Sequence, residues 1–218
     1  MRHRQRAFNL PVETGFGSAD FLVSDCNRDA FEWIERWPDW PSRVLVLYGP
    51  AGSGKTHLAH LWCERAGAAL TGGAAIGGAA PSDAAAIAID DAEQAPEEPL
   101  LHFYNSALER GASLLLTLPA PPASLLLALP DLASRLRALP VVGIAPPDDA
   151  LLGAVLVKQF ADRQIRVAPG VIAYLVARIE RSFAAAASVA ARLDDAALSA
   201  ARPITVKLAR EVLAEPGR

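Results

Sequence analysis

The chain has 218 residues, 21 basic and 24 acidic, with a net charge of -3, 52% hydrophobic and 21% charged residues. This balance excludes a disordered chain and leaves no global field drawing it to nucleic acid or an anionic membrane. Two cysteines, Cys26 and Cys63, are too few for a disulfide framework and read as reduced thiols of a cytoplasmic protein.

The length suits one large domain or two small ones. Residues 1–20 contain Pro11, Gly15 and Gly17, show no period, and read as an extended tail. The arginines at its start have no apolar stretch behind them, so no leader is expected. Residues 25–37 place Phe31, Ile34 and Trp37 at helical spacing, with Asp25 and Asn27 as candidate caps. A buried strand is expected at 44–47 and a helix at 55–66, with a glycine-rich loop between them. Residues 67–86 are low in complexity, with room for a short strand at 68–70. An apolar run at 86–91 ends in two acids, a helix follows over 97–111 and a strand over 112–118.

The apolar run at 114–130 is broken by Pro119, Pro121 and Pro122. A membrane span needs about 20 uninterrupted apolar residues, so no membrane segment is expected. A short helix at 131–138 and a last strand at 140–145 follow. Alternating strands and helices predict an α/β base with a parallel sheet sandwiched by helices. After the proline pair at 146–147 four helical patterns follow with short connections. The expected organisation is a tail at 1–20, a nucleotide-binding base at 21–145 and a small all-α lid at 146–218.

The chemistry begins in VLVLYGPAGSGKTHLAHLWCE, residues 44–64. Gly49, Gly52, Gly54, Lys55 and Thr56 fill the spacing G-x-x-x-x-G-K-[ST] between an apolar strand and a helix. Gly49, Pro50, Gly52, Ser53, Gly54, Lys55, Thr56 and His57 would wrap a polyphosphate. Backbone N–H groups and the helix dipole would face its charge. Lys55 would reach the β- and γ-phosphates, and the Thr56 hydroxyl would sit on Mg²⁺. Lysine is scarce, occurring only at 55, 158 and 207, which adds slightly to this reading. The bland alternative is a glycine-rich turn with a solvated lysine.

The second part is AIAIDD, residues 86–91. Asp90 would hold Mg²⁺ and Asp91 would orient or polarise the attacking water. Adjacent strand residues face opposite ways, so one acid must turn at the strand end. Many strands end in paired aspartates, and the signal gains weight only beside the loop.

These residues resemble the AAA+ ATPases, and within them the DnaA-type initiators and their shorter relative Hda, over about residues 20–215. IDDAE (89–93) is similar to the initiator Walker B. LPDLASRL (129–136) looks like the segment carrying an arginine finger, and FLVSDCNRDAF (21–31) like the approach to the adenine pocket. The resemblance implies that Arg135 is that finger and that Thr117 is a sensor of the nucleotide. By themselves, Arg135 reads as a helix-surface cation and Thr117 as a buried strand hydroxyl. It also implies ATP or ADP with Mg²⁺ as cofactors and a DnaA-type initiator as partner, with hydrolysis of the initiator's ATP promoted by the finger. The chain's own ATPase would be weak, and a homo-oligomer is open.

In Hda a short N-terminal peptide docks on the replication sliding clamp. Here Gln5, Phe8 and Leu10 fit a Q-x-x-hydrophobic-x-hydrophobic spacing, although Arg6 and Asn9 depart from the family string. The initiators carry a helix-turn-helix domain for double-stranded DNA, and no counterpart is expected. The segment 181–193 has alanine where the initiators carry a third-lid-helix arginine, with Arg181 offset. That departure puts lid-coupled nucleotide sensing in question. His57 and His60 share a helix face without a third ligand, so no zinc site is expected. Glu97, Glu98, Asp148 and Asp149 read as solvated helix starts, and Trp33, Trp37 and Trp40 as packing for the first helix. Two rivals stand beside the regulator: a non-catalytic adaptor, and a P-loop kinase using Arg178, Arg181 and Arg192.

Overall fold

Side chains alternate across a strand, so a run such as VLVLY can feed two cores at once. In the computed structural model, which describes residues 21–78, 84–200 and 202–214, it does so. From β1 (Val44–Tyr48), Val44 and Val46 enter one buried cluster, while Leu45 and Leu47 enter the cluster on the opposite face. β3 (Ala86–Asp90) and β4 (Ser113–Leu118) divide their side chains in the same way. With β2 (Ala69–Gly72) and β5 (Val141–Gly143) they form a five-stranded sheet in the order β2-β3-β4-β1-β5. Every pairing is parallel, as the alternation of elements predicts.

Helices cover both faces. α1 (Arg28–Arg36) and α2 (Lys55–Ala66) pack Ala30, Ile34, Leu58, Ala59 and Trp62 onto one. The rings of Trp40 and Trp62 stack at 5.4 Å, and Trp37 meets Trp62 edge-on at 6.1 Å. α3 (Glu97–Glu109) and α4 (Pro130–Arg137) pack Leu100, Phe103, Ala107, Leu132 and Leu136 onto the other. The base is thus an α/β sandwich, with the helical faces read from the sequence turned inward.

Local details differ from expectation. The strand expected at 68–70 is β2, shifted to Ala69–Gly72. Neither Asp25 nor Asn27 caps α1. The Asn27 amide instead closes the preceding turn, accepting from Ser24 N at 2.8 Å and donating to the Leu22 carbonyl at 3.0 Å. Asp25 pairs with Arg28 at 2.8 Å. The clamp-peptide candidates Gln5, Phe8 and Leu10 lie outside the described residues.

Beyond the sheet four helices form a separate core: α5 (Asp149–Asp162), α6 (Pro169–Val176), α7 (Phe183–Ala200) and α8 (Val206–Ala214). Leu152, Leu156, Phe160, Leu175, Leu193 and Leu208 fill it. Asp148 is not merely solvated: its carboxylate caps α5 by accepting from Leu151 N at 2.7 Å. Phe160 is fully buried in this small lid. Phe160→Ala is expected to destabilise it by about 3–5 kcal/mol, seen as a lowered urea midpoint for the lid's helical signal.

Candidate functional site

In parallel sheets, ligands bind beyond the carboxyl ends of the strands. Here β1 leads into the glycine loop, β3 ends at Asp90, and β4 lies between them. The register pairs Leu47 with Thr117 and Ile89 with Leu116, so Asp90 emerges beside Thr117. Strand order therefore assembles Thr56, Asp90 and Thr117, whose contacts span 34 and 27 positions in sequence.

Gly52 and Gly54 adopt φ of 68° and 97°, a region costly for residues with a Cβ. Gly54 is the residue from which α2 springs, and Lys55 is its first residue. The Lys55 ammonium donates to the Gly49 carbonyl at 2.8 Å and the Pro50 carbonyl at 3.1 Å, folded back over its own loop. The Ser53 hydroxyl is buried without a hydrogen-bond partner among the described residues. His57 meets Phe21 edge-on at 5.1 Å.

Asp90 is held from two sides. Thr56 Oγ1 donates to its Oδ2 at 2.7 Å, and Thr117 Oγ1 donates to its Oδ1 at 2.6 Å. Thr117 also accepts from Asp91 N at 2.8 Å. Asp91 leaves the strand through left-handed geometry, φ 50° and ψ 52°, which resolves the two-acid problem. Its side chain lines the cleft and accepts from Gln94 Nε2 at 3.3 Å. Burial chiefly raises the Glu93 carboxyl, and repulsion from Asp91 and Asp90 adds to it. Burial also pushes the Cys63 thiol up to about 11, aided by the Asp90 charge, so this cysteine is not a thiolate nucleophile at neutral pH.

The glycine loop and lid enclose a cleft of about 580 Å³. Gly52, Gly54, Lys55, Thr56, His57 and Asp91 line its floor, Phe21 and Leu22 one end, and α5 and α7 its lid wall. The Phe183 N–H donates to the Gly52 carbonyl at 2.8 Å, joining the start of α7 to the loop. The volume is in the range of small-molecule and cofactor pockets. Donors, a buried lysine and an oxygen pair from Thr56 and Asp90 match a polyphosphate with a hard cation. Among the described residues no group of three His, Cys, Asp or Glu side chains forms a metal site by itself. A bound cation would have to complete its shell with phosphate and water oxygens.

Arg135 stands apart from the cleft on α4, 43% exposed, its Nε donating to Asp131 Oδ1 at 3.0 Å. Ala184 and Ala187 of α7 form part of the lid wall, and Lys158 of α5 lines the same cleft. Arg181 instead pairs with Asp149 at 2.8 Å on the surface. Arg178 packs over the Tyr174 ring at 3.9 Å, and Arg192 donates to the Val212 carbonyl. None of these three lines the cleft, which removes the arginine cluster that the kinase reading needed. Glu97 departs most from its expected role as a solvated helix start. Its oxygens accept from Ala128 N at 2.9 Å and Leu129 N at 2.6 Å. No sequence spacing signals that bond, because its partners are backbone groups about 30 residues away.

Residues 149–213, all in the lid, match the family model described as "Hda, lid domain". The fold matches domain III of the replication initiation protein DnaA from Thermotoga maritima at a TM-score of 0.79 and 16% identity, covering 94% of this chain and 98% of that one. The lid thus matches the Hda lid family, and the fold as a whole is that of domain III of DnaA. This fold also matches AMPPCP-bound DnaA from Aquifex aeolicus at a TM-score of 0.61 and 17% identity, covering 75% of this chain and 60% of that one. The RuvB Holliday junction branch migration motor of Thermotoga maritima matches at 0.69 and 14% identity, over 92% of this chain and 72% of that one. This chain thus spans less than two thirds of the AMPPCP-bound initiator.

One position in the base has no visible motif. A Cβ built on Gly73 would lie 2.2 Å from the Asp91 carbonyl oxygen. Gly73→Ala must push the Asp91 turn aside. It is expected to cost about 1–3 kcal/mol and lower the Tm by roughly 2–10 °C in a thermal melt.

Proposed function

We propose that this protein binds ATP or ADP with Mg²⁺ and regulates replication initiation by promoting hydrolysis of ATP held by a DnaA-type initiator. The glycine loop and Lys55 hold the phosphates, and Thr56 with Asp90 holds the cation. Asp91 orients water for whatever hydrolysis the chain performs itself, with Thr117 aligning both acids. The bound nucleotide and cation supply the phosphate charge and the electrophile; the protein supplies donors, oxygen ligands and a cleft that limits water.

The observation that carries the regulatory half is the placing of Arg135. It lies outside its own cleft, on a short helix anchored by buried Leu132 and Leu136. Its guanidinium pairs with the exposed Asp131, four residues earlier. Such a pair is worth under about 1 kcal/mol, so a more strongly charged anion can draw the guanidinium away. An arginine delivered in trans to a γ-phosphate can be worth about 10³–10⁵ in rate. The lid wall supports the same division of labour, since α7 presents Ala184 and Ala187 to the cleft and adds no cation of its own there. On this reading the resident nucleotide organises the protein, and Gln5, Phe8 and Leu10 tether it to the sliding clamp on DNA.

Two measurements check this. Titration calorimetry should show ADP binding with Mg²⁺, and Lys55→Ala should weaken it by about 10- to 100-fold. In a reaction with ATP-bound initiator, clamp and DNA, Arg135→Ala should abolish the stimulated hydrolysis while retaining nucleotide affinity. Undiminished stimulation by that variant would leave only the adaptor reading, in which the chain recruits partners without acting on their ATP.

A further inference from the structure

The loop between β4 and α4, residues 119–129, carries the chain from Thr117 to the helix of Arg135. Its only regular piece among the described residues is a 3-10 turn at Pro122–Ser124. It contains three prolines and three consecutive leucines, and Leu126 is fully exposed. Beneath it lies a cavity of about 270 Å³, lined by leucines including Leu100, Leu125, Leu132 and Leu136 and also by Glu93 and Glu97. α4 is only eight residues long, and its first residue, Pro130, has no N–H to bond. Leu132 and Leu136 hold one face of this short helix down, but its N-terminal end needs a further reason to keep one orientation.

Glu97 supplies that reason. It is the first residue of α3, and both its carboxylate oxygens accept from consecutive backbone N–H groups, Ala128 and Leu129, just before α4. Charge-assisted bonds from two donors fix direction as well as distance, and the negative charge sits at the positive end of α4. Glu97 also follows Asp91 by six residues, through a single 3-10 turn at Ala92–Gln94. The carboxylate thus joins the segment leaving the acid pair to the start of the helix bearing Arg135.

We infer that Glu97 is a positioning residue for Arg135, fixing α4 so that the guanidinium is presented in one orientation to the nucleotide of a partner. This rests on the proposed role of Arg135, and the experiment separates the two. Glu97→Ala is expected to lower the maximal rate of stimulated initiator-ATP hydrolysis by about 10²-fold, as a misplacement near 1 Å does. The half-saturating concentration of this protein and its own ADP affinity should stay unchanged. The double variant Glu97→Ala, Arg135→Ala should be no worse than Arg135→Ala, because the two act through one group. In hydrogen exchange, the Ala128 and Leu129 amides should be protected in the wild type and exposed in Glu97→Ala.

Wild-type stimulation by Glu97→Ala, or equal exchange at those amides in both proteins, overturns the positioning role while leaving Arg135 in place. A double variant clearly worse than Arg135→Ala overturns it too, since Glu97 would then act independently. Full stimulation by Arg135→Ala sinks the finger itself, and with it any role for Glu97 in presenting it. Should Glu97→Ala fail to fold, Glu97→Gln, which keeps the shape but only one acceptor oxygen, is the variant to read.

Discussion

The carboxylate of Asp90 is the point on which the site depends. Two threonine hydroxyls donate to it, one from the start of α2 and one from β4. Short hydroxyl–carboxylate bonds of this kind are strong because the acceptor is ionised. Through them one carboxylate fixes the start of α2 against two neighbouring strand ends. Thr117 then uses its remaining acceptor capacity on Asp91 N, which steadies a backbone conformation that aspartate adopts only at some cost. Thr56, Thr117 and the adjacent Asp90 and Asp91, drawn from three segments of the chain, are thereby joined by hydrogen bonds.

That unit needs the sheet around it. β4 must lie between β1 and β3 for Thr117 to reach Asp90, and this order follows from parallel crossovers rather than from any local motif. It also needs close backbone approaches. Gly73 lets the turn after β2 press against the Asp91 carbonyl, and Gly49 lets the loop pass the Ile144 carbonyl, 2.6 Å from where a Cβ would be. Glycines here allow separate segments to touch, a role distinct from the positive φ of Gly52 and Gly54.

How much of this the sequence discloses depends on the range of the interaction. β1 and α2 are legible because an apolar run, a glycine loop and a helical pattern sit side by side in 44–66. The acid pair is legible as a strand ending, and its left-handed turn follows from the alternation rule. The lid's four helices show through their apolar periodicity. The Glu97 bonds do not show, because backbone donors leave no trace in residue identity. Asn27 misleads for a related reason: an amide before a helix satisfies either the helix or the preceding turn, and here it bonds Ser24 N and the Leu22 carbonyl of the turn. Gly73 is hidden in a run of small residues whose composition resembles a linker.

The charge layout of the cleft separates holding a nucleotide from cleaving it. Lys55 and the glycines at 52 and 54 line one side of the cleft, while α7 contributes methyl groups and a backbone bond from Phe183 to Gly52. α7, fixed by a neutral bond, adds no positive charge of its own where negative charge would develop in a transition state, and only such charge accelerates the chemical step. The lid's lysine in the cleft, Lys158 of α5, pairs with Asp162 at 3.0 Å, and Arg135 lies outside the cleft on α4. On the proposed reading the chain is therefore built to keep its own nucleotide and lend its arginine. The stiffness that keeps a guanidinium presented to another molecule must then come from the base, through the buried leucines under α4 and the carboxylate at its start.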